Sequence, residues 1–233
     1  ETAQSGEVVH IDDESLVDVN ITNNGTIWST ENNAIAFDGT TITGTATITN
    51  NINRGANATI RSDSTATDEA AIAIKDTTGT INISNAGTIT SKAQGILNKG
   101  STITSLTNSG KLETTGTGTD SISKAGIYNA ARSTITTLDN NFGATLEGTD
   151  SYSSGVYNQD TITSLSNAGT LQGTGDTKSS GIYNLGTITT LTNSGDLAST
   201  GTGTDSINKA GLYNAESATV TTITNSGNID GTG

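Results

Sequence analysis

Four tyrosines that recur at one position of a repeat are the residues best suited to contact a partner. Tyr128, Tyr157, Tyr183 and Tyr213 each stand between an aliphatic residue and an asparagine, after a glycine. Side chains alternate along a strand, so the tyrosines point outward if their two neighbours point inward. Stacked at the strand spacing they span about 14 Å, and exposed aromatic rings can bind sugars or anchor a protein contact. The alternative is that the rings simply pack on one another as cross-strand pairs.

Two glycine-rich loops carry aspartates that could border this tyrosine face. The sequence Gly-Thr-Gly-Thr-Asp-Ser-Ile occurs at 116–122 and again at 201–207, and it contains Asp120 and Asp205. We therefore group these aspartates with the tyrosines as candidate binding residues. Both loops match most of the nonapeptide that binds Ca²⁺ in β-rolls, but each match stands alone, whereas a roll needs consecutive copies. The sequence predicts a turn without a metal, and calcium binding is the alternative.

Asparagine recurs at two other positions, where it suits a structural role. Stacked Asn amides can hydrogen-bond to the equivalent amides above and below, as in cross-β ladders, and Asn also tolerates turn conformations. The glycine that follows one of these positions is predicted to supply the positive φ of a corner. We predict structural ladders formed by Asn85, Asn108, Asn140, Asn167, Asn193 and Asn225 at one position and by Asn98, Asn129, Asn158, Asn184 and Asn214 at the other.

Residues that could support catalysis are sparse. Polysaccharide-cleaving β-helices need clustered carboxylates, and the sequence places no evident acidic cluster beside Arg54, Arg61 or Arg132. His10 is the single histidine and has no obvious nucleophile to activate. We predict that the chain is not an enzyme and that it carries no cofactor. A polysaccharide-binding or polysaccharide-cleaving protein is the alternative.

Paired threonines raise a further alternative. The pattern Thr-x-Thr recurs with an aliphatic residue in the middle. Stacking of these pairs would give two outward rows of threonine, which resemble an ice-binding surface. Threonine is also a favoured strand residue, which gives a simpler explanation. The pairs are Thr102/Thr104, Thr134/Thr136, Thr161/Thr163, Thr187/Thr189 and Thr219/Thr221.

These positions recur because most of the chain consists of one repeated unit. The glycine that ends each unit recurs from Gly25 to Gly227 with a mean spacing of about 29 residues, a period typical of solenoids. Each unit holds three short segments with inward aliphatic residues and no 3.6-residue periodicity. The sequence predicts an all-β fold, a right-handed single-stranded parallel β-helix of about eight coils. Residues 1–20 are predicted to form an N-terminal cap, and 21–233 to form one elongated domain of repeats that is truncated at its C-terminal end.

Composition narrows the range of partners. The net charge is −13 with only 10 basic residues and no basic cluster, which disfavours nucleic acid and anionic membrane surfaces as partners. No apolar run approaches the length that spans a bilayer, so no membrane insertion by this chain is predicted. Cysteine and proline are both absent, and proline has little place inside a regular parallel stack.

The repeat resembles the passenger of a Gram-negative autotransporter or related large adhesin. Its pattern Ile-Thr-x-Leu-x-Asn-x-Gly-x-Leu is complete at 162–171, and the resemblance covers about residues 20–233. It implies a secreted protein at the cell surface, anchored in the outer membrane through a C-terminal part that is missing here. It also implies a function in cell–cell aggregation, biofilm formation or attachment to host surfaces. The implied partner is the same protein on a neighbouring cell, or a host receptor or glycan.

Overall fold

The fold is a parallel β-solenoid, as the repeat predicts. The computed structural model describes residues 5–12, 15–53, 56–116, 124–149, 152–175, 179–201 and 210–231. Over these ranges every regular element is a β-strand, and all strands except those of one short hairpin stack into three parallel sheets. The first and third sheets each hold one strand from each of eight coils, and the second holds nine because the first coil contributes two. We number the coils from the N-terminal end.

The first sheet contains the tyrosine strands. Its strands are β1 Val9–Asp12, β5 Ile35–Asp38, β10 Ala70–Lys75, β13 Gln94–Lys99, β16 Ile127–Asn129, β19 Val156–Asn158, β22 Ile182–Asn184 and β25 Leu212–Asn214. They pair in this order along the stack.

The second and third sheets complete each coil. The second contains β2 Ser15–Leu16, β3 Val19–Asn23, β6 Thr41–Asn50, β11 Thr78–Asn85, β14 Thr102–Asn108, β17 Thr134–Asn140, β20 Thr161–Asn167, β23 Thr187–Asn193 and β26 Thr219–Asn225. The third contains β4 Thr26–Ser29, β9 Thr59–Ser62, β12 Thr88–Ser91, β15 Lys111–Thr114, β18 Thr145–Gly148, β21 Thr170–Gly173, β24 Asp196–Ser199 and β27 Asn228–Gly231. A short antiparallel hairpin, β7 Ile52–Asn53 with β8 Ala56–Asn57, projects from the second coil.

The core is a column of aliphatic side chains. Predicted rows are confirmed by the register: Ile127 pairs with Val156, and Val156 pairs with Ile182. All three side chains are fully buried. Because neighbouring coils shield each other, the apolar residues of the last coil are less buried, and Ile223 is 48% exposed. Each coil therefore depends on its neighbours for its core.

The boundary predicted at residue 20 lies inside a strand. Strand β3 crosses that position and pairs with β6, and β1 pairs with β5. The described part of the predicted cap thus belongs to the first coil. The reason is that Val9, Ile11 and Leu16 alternate with polar residues and pack against the core.

The role predicted for the corner glycines is wrong at all the described corners except that of Gly143, whose φ is 79°. Gly169, Gly195 and Gly227, which connect the second and third sheets, do not have positive φ. A Cβ atom on Gly195 would lie 2.1 Å from the carbonyl oxygen of Gly169 in the coil before it. Glycine is required here because successive turns stack backbone on backbone, so no side chain fits between them.

Candidate functional site

The four tyrosines form one continuous stack on the outer face of the first sheet. They are direct partners in the register from Tyr128 to Tyr213. The ring centroids of Tyr157 and Tyr183 are 4.9 Å apart with the planes 4° from parallel, and those of Tyr183 and Tyr213 are 5.0 Å apart. Tyr128 meets Tyr157 edge to face at 5.4 Å. These distances and angles are those of favourable aromatic pairs.

The stack is less open than an exposed sugar-binding platform would be. Tyr128 and Tyr157 are each only 7% exposed, although they point away from the main core. They belong to a second apolar cluster that includes Leu97, Ala125 and Ala130. The Tyr128 hydroxyl donates a hydrogen bond to Oε1 of Gln159 at 2.8 Å. The outward direction was predicted correctly, but only Tyr183 and Tyr213 remain partly accessible to a partner.

Burial also changes the acidity of these phenols. It is the main cause that raises the pKa of Tyr128 to about 12, with smaller contributions from Tyr157 and from the negative charge of Asp68. Burial likewise raises the pKa of Tyr157 and of Tyr183. A phenol in an unfolded chain ionises near pH 10.

We expect the titration of Tyr128 to be visible in alkaline solution. A tyrosine whose pKa is raised on folding stabilises the protein fully below its unfolded pKa, and this contribution is lost as the pH rises through the folded pKa. The phenolate absorbance should therefore show a step near pH 12 that Tyr128→Phe removes, and stability should fall between about pH 10 and 12. If every tyrosine ionises near pH 10 while the protein remains folded, the burial of Tyr128 is wrong.

The aspartates predicted to border the tyrosine face lie outside the described residues. Asp120 falls in 117–123 and Asp205 in 202–209, so the calcium alternative at these loops concerns the same ranges. Among the residues that are described, no group of three or more His, Cys, Asp or Glu side chains is placed to hold a metal ion.

Both asparagine ladders are present, and they are internal. At the corner after the second sheet, each Nδ2 donates to the Oδ1 of the next asparagine at 2.8–2.9 Å, from Asn23 through Asn225. Asn23 and Asn50 extend this row beyond the predicted members. The other row runs from Asn98 to Asn214 at 2.7–2.9 Å. Most members are fully buried, so these amides are structural and are not available to a second molecule.

The row that starts at Asn98 has an abrupt beginning. In the coil before it, the register partner of Asn98 is Ile74, which offers no polar group. The Oδ1 atom of Asn98 is consequently buried without a hydrogen-bond donor. At this inward position of the first sheet, the third coil thus has an aliphatic side chain, Ile74, and the fourth coil has an amide, Asn98.

The two threonines of each pair differ in their pairing between coils. The register joins Thr134 to Thr161 and Thr161 to Thr187, but the second threonine of each pair has no register partner. Between inward Ile135 and inward Leu138 lie two residues instead of one, so the alternation is interrupted here. The first threonine of each pair therefore continues an outward row in the register, whereas the second lies where the alternation is interrupted.

A cluster on the third sheet was missed by sequence reasoning. Nε1 of Trp28 donates to Asp63 at 2.9 Å, and the Arg61 guanidinium lies over the Trp28 ring at 4.9 Å. Arg61 also pairs with Asp63, with N–O distances of 2.8–3.1 Å. Arg61 therefore has one acidic partner, Asp63, which the sequence analysis did not identify. The signal available was that Trp28 and Arg61 occupy equivalent repeat positions and so face each other across strands.

The single histidine lies at the first coil. Its Nδ1 is 3.1 Å from a carboxylate oxygen of Glu7, and its side chain is partly exposed.

No helix with the length and apolar character of a membrane span occurs among the described residues. Comparison with protein-family models, with curated proteins and with solved structures finds no match to this chain.

Proposed function

We propose that this chain is a non-enzymatic adhesin passenger displayed at the cell surface, where it mediates cell–cell aggregation, biofilm formation or host attachment. The observation that carries the proposal is the division of side chains between the inside and the outside of the coil. Aliphatic residues and the asparagine ladders fill the interior, while rows of hydroxyl and carboxylate groups follow the outside along the stack. Such a surface offers many weak, repeated contacts along a rod.

The outer rows supply the polar groups for such contacts. On the second sheet, Thr137, Ser164, Thr190 and Thr222 are successive partners in the register. Each exposed hydrogen bond contributes only about 0.5–1.5 kcal/mol, so adhesion would depend on the number of coils engaged. Because the asparagines are buried, pairing between two copies would use these hydroxyls rather than the amide ladders.

Acidic side chains on the third sheet set the expected response to ions. Glu113 and Glu147 are direct register partners on the outer face, so two carboxylates lie side by side. Lys111 pairs with Glu113, and Glu147 has no basic residue at the positions beside it in this row. With a net charge of −13, two copies that approach each other repel at low ionic strength. Salt or divalent cations would relieve this repulsion.

A clumping assay tests the proposal. Bacteria that display the chain should settle faster than bacteria without it, and the rate should rise with NaCl or with Mg²⁺ because repulsion is screened. The double change Glu113→Gln with Glu147→Gln should raise clumping at low salt and reduce its dependence on salt. Glu216→Gln, which removes a charge at an exposed turn of the last coil, is the matched control. Clumping that does not respond to ions would contradict self-recognition through this face and would favour a host receptor or glycan.

A further inference from the structure

The corner between the second and third sheets is longer than the repeat requires in two coils, the second, which carries the β7–β8 hairpin, and the fifth. Most coils cross this corner with two residues, for example Ser194 and Gly195. In the fifth coil the connection is 141–144. The backbone N–H of Asn141 donates to Asn108 at 2.9 Å and that of Ala144 donates to Asn141 at 3.0 Å, which closes the turn normally. Phe142 and Gly143 are therefore an insertion that projects from a completed corner.

The side chain of this insertion is almost entirely in solvent. Phe142 is 91% exposed, the highest value among the large apolar residues of the described chain. Gly143 has a φ of 79°, a backbone conformation that suits glycine. Full burial of a phenylalanine contributes about 1.5–3 kcal/mol to stability, and Phe142 contributes little of this. Its exposure has no explanation in the stability of the coil.

Phe142 forms one wall of a groove of about 390 Å³. The floor runs over the stacked turns of the next three coils at Gly169, Gly195 and Gly227. It is smooth because these residues have no side chain. From the fifth to the eighth coil its length is about 14 Å, three strand spacings.

The groove has one acidic group and no basic group among its lining residues. Asp196 is exposed, and its Oδ1 accepts a hydrogen bond from Nδ2 of Asn228 at 2.9 Å. A carboxylate has room for about four hydrogen bonds, so Asp196 can accept further donors. Thr170 also lines the groove. With one carboxylate and no basic residue in its lining, the groove disfavours an anionic ligand.

We propose that this groove binds a neutral oligosaccharide. An extended sugar chain has apolar C–H faces, which can lie against an aromatic ring, and hydroxyl groups, which donate to carboxylate and carbonyl oxygens. Phe142 supplies the ring, Asp196 supplies the carboxylate, and the bare turns leave space for a chain along the stack. The site is distinct from the tyrosine stack, whose first two rings are covered. The inference refines the proposed adhesive function by naming a carbohydrate partner.

Binding can be measured on the purified chain, without cells. Maltohexaose, cellohexaose and chitohexaose serve as neutral probes and a galacturonate hexamer as the anionic control, with saturation-transfer NMR as the readout. We expect at least one neutral hexamer to bind and the galacturonate hexamer not to bind. Phe142→Ala should weaken the affinity by about tenfold or more, and Asp196→Asn should weaken it less. Val17→Ala, which removes another exposed apolar side chain at the far end, should bind like the native chain.

Stability separates a binding role from a structural one. Since Phe142 packs on little, Phe142→Ala should leave the melting temperature unchanged, so lost binding cannot be attributed to unfolding. The proposal is overturned if no neutral hexamer binds at millimolar concentration, if Phe142→Ala binds equally well, or if the galacturonate hexamer binds more tightly. A dimer that Phe142→Ala dissociates would overturn it in favour of a contact between copies.

The outcome is also separable from that of the adhesion assay. If the hexamers bind but displaying bacteria neither clump nor attach, oligosaccharide binding in the groove is supported and the proposed adhesive function is contradicted. If the bacteria clump but no hexamer binds, the groove proposal alone fails.

Discussion

Asn167→Asp is expected to destabilise the protein by about 3 kcal/mol or more, the cost of an uncompensated buried charge. Asn167 is buried in the middle of its ladder. Its Nδ2 donates to Oδ1 of Asn193 at 2.8 Å and to the carbonyl oxygen of Asp196 at 3.0 Å. An ionised aspartate cannot donate, so its oxygen would face two acceptor oxygens away from water. The free energy of unfolding from urea titration, followed by circular dichroism, measures the loss.

The same change at the end of the ladder is the matched control. Asn225 accepts a hydrogen bond from Asn193 at its Oδ1, as Asn167 does from Asn140, but it is exposed and its Nδ2 donates only within its own turn. Asn225→Asp should therefore cost less than about 1 kcal/mol. The loss at Asn167 should also shrink at acidic pH, because burial favours the protonated aspartate, which can donate again. Equal losses at the two positions would show that the ladder does not depend on burial.

Leu165→Ala is expected to destabilise the protein by about 2–5 kcal/mol. Leu165 is fully buried on the second sheet, between Leu138 and Leu191 of the neighbouring coils. Its removal deletes apolar contact and leaves a cavity that the stacked backbones cannot easily close. Because coils contact only their neighbours, the lesion also weakens both interfaces of the sixth coil. Urea unfolding and hydrogen exchange of the sixth coil would measure the effect.

Ile223→Ala is the control for this prediction. Ile223 occupies the equivalent position in the last coil but is 48% exposed. The truncation there removes less buried surface and leaves a notch open to water rather than a cavity, so a loss of about 1 kcal/mol is expected. If Ile223→Ala costs as much as Leu165→Ala, the stability of the stack is not determined by burial between coils.

Much of the candidate site was predictable because equivalent residues of successive repeats stack at a known distance. Equivalent residues in a parallel stack must lie about one strand spacing apart, so the contact between Tyr157 and Tyr183 and the bond between Asn140 and Asn167 follow from their spacing. The position of Phe142 could also have been found, since 141–144 is two residues longer than the equivalent connection at 168–169. What the spacing does not reveal is how far each side chain is covered.

The sequence by itself determined the repeat, the strands, the inward rows and the parallel stack, because these depend on local alternation and on a period of about 29 residues. Only the tertiary structure decided what each outward residue meets. It covered Tyr128 and Tyr157 with Leu97, Ala125 and Ala130 and left Phe142 in solvent. It also showed that Gly169, Gly195 and Gly227 are needed for close stacking rather than for positive φ. The physical reason is that burial depends on how side chains of neighbouring coils and their connections pack together, and no local pattern records that packing.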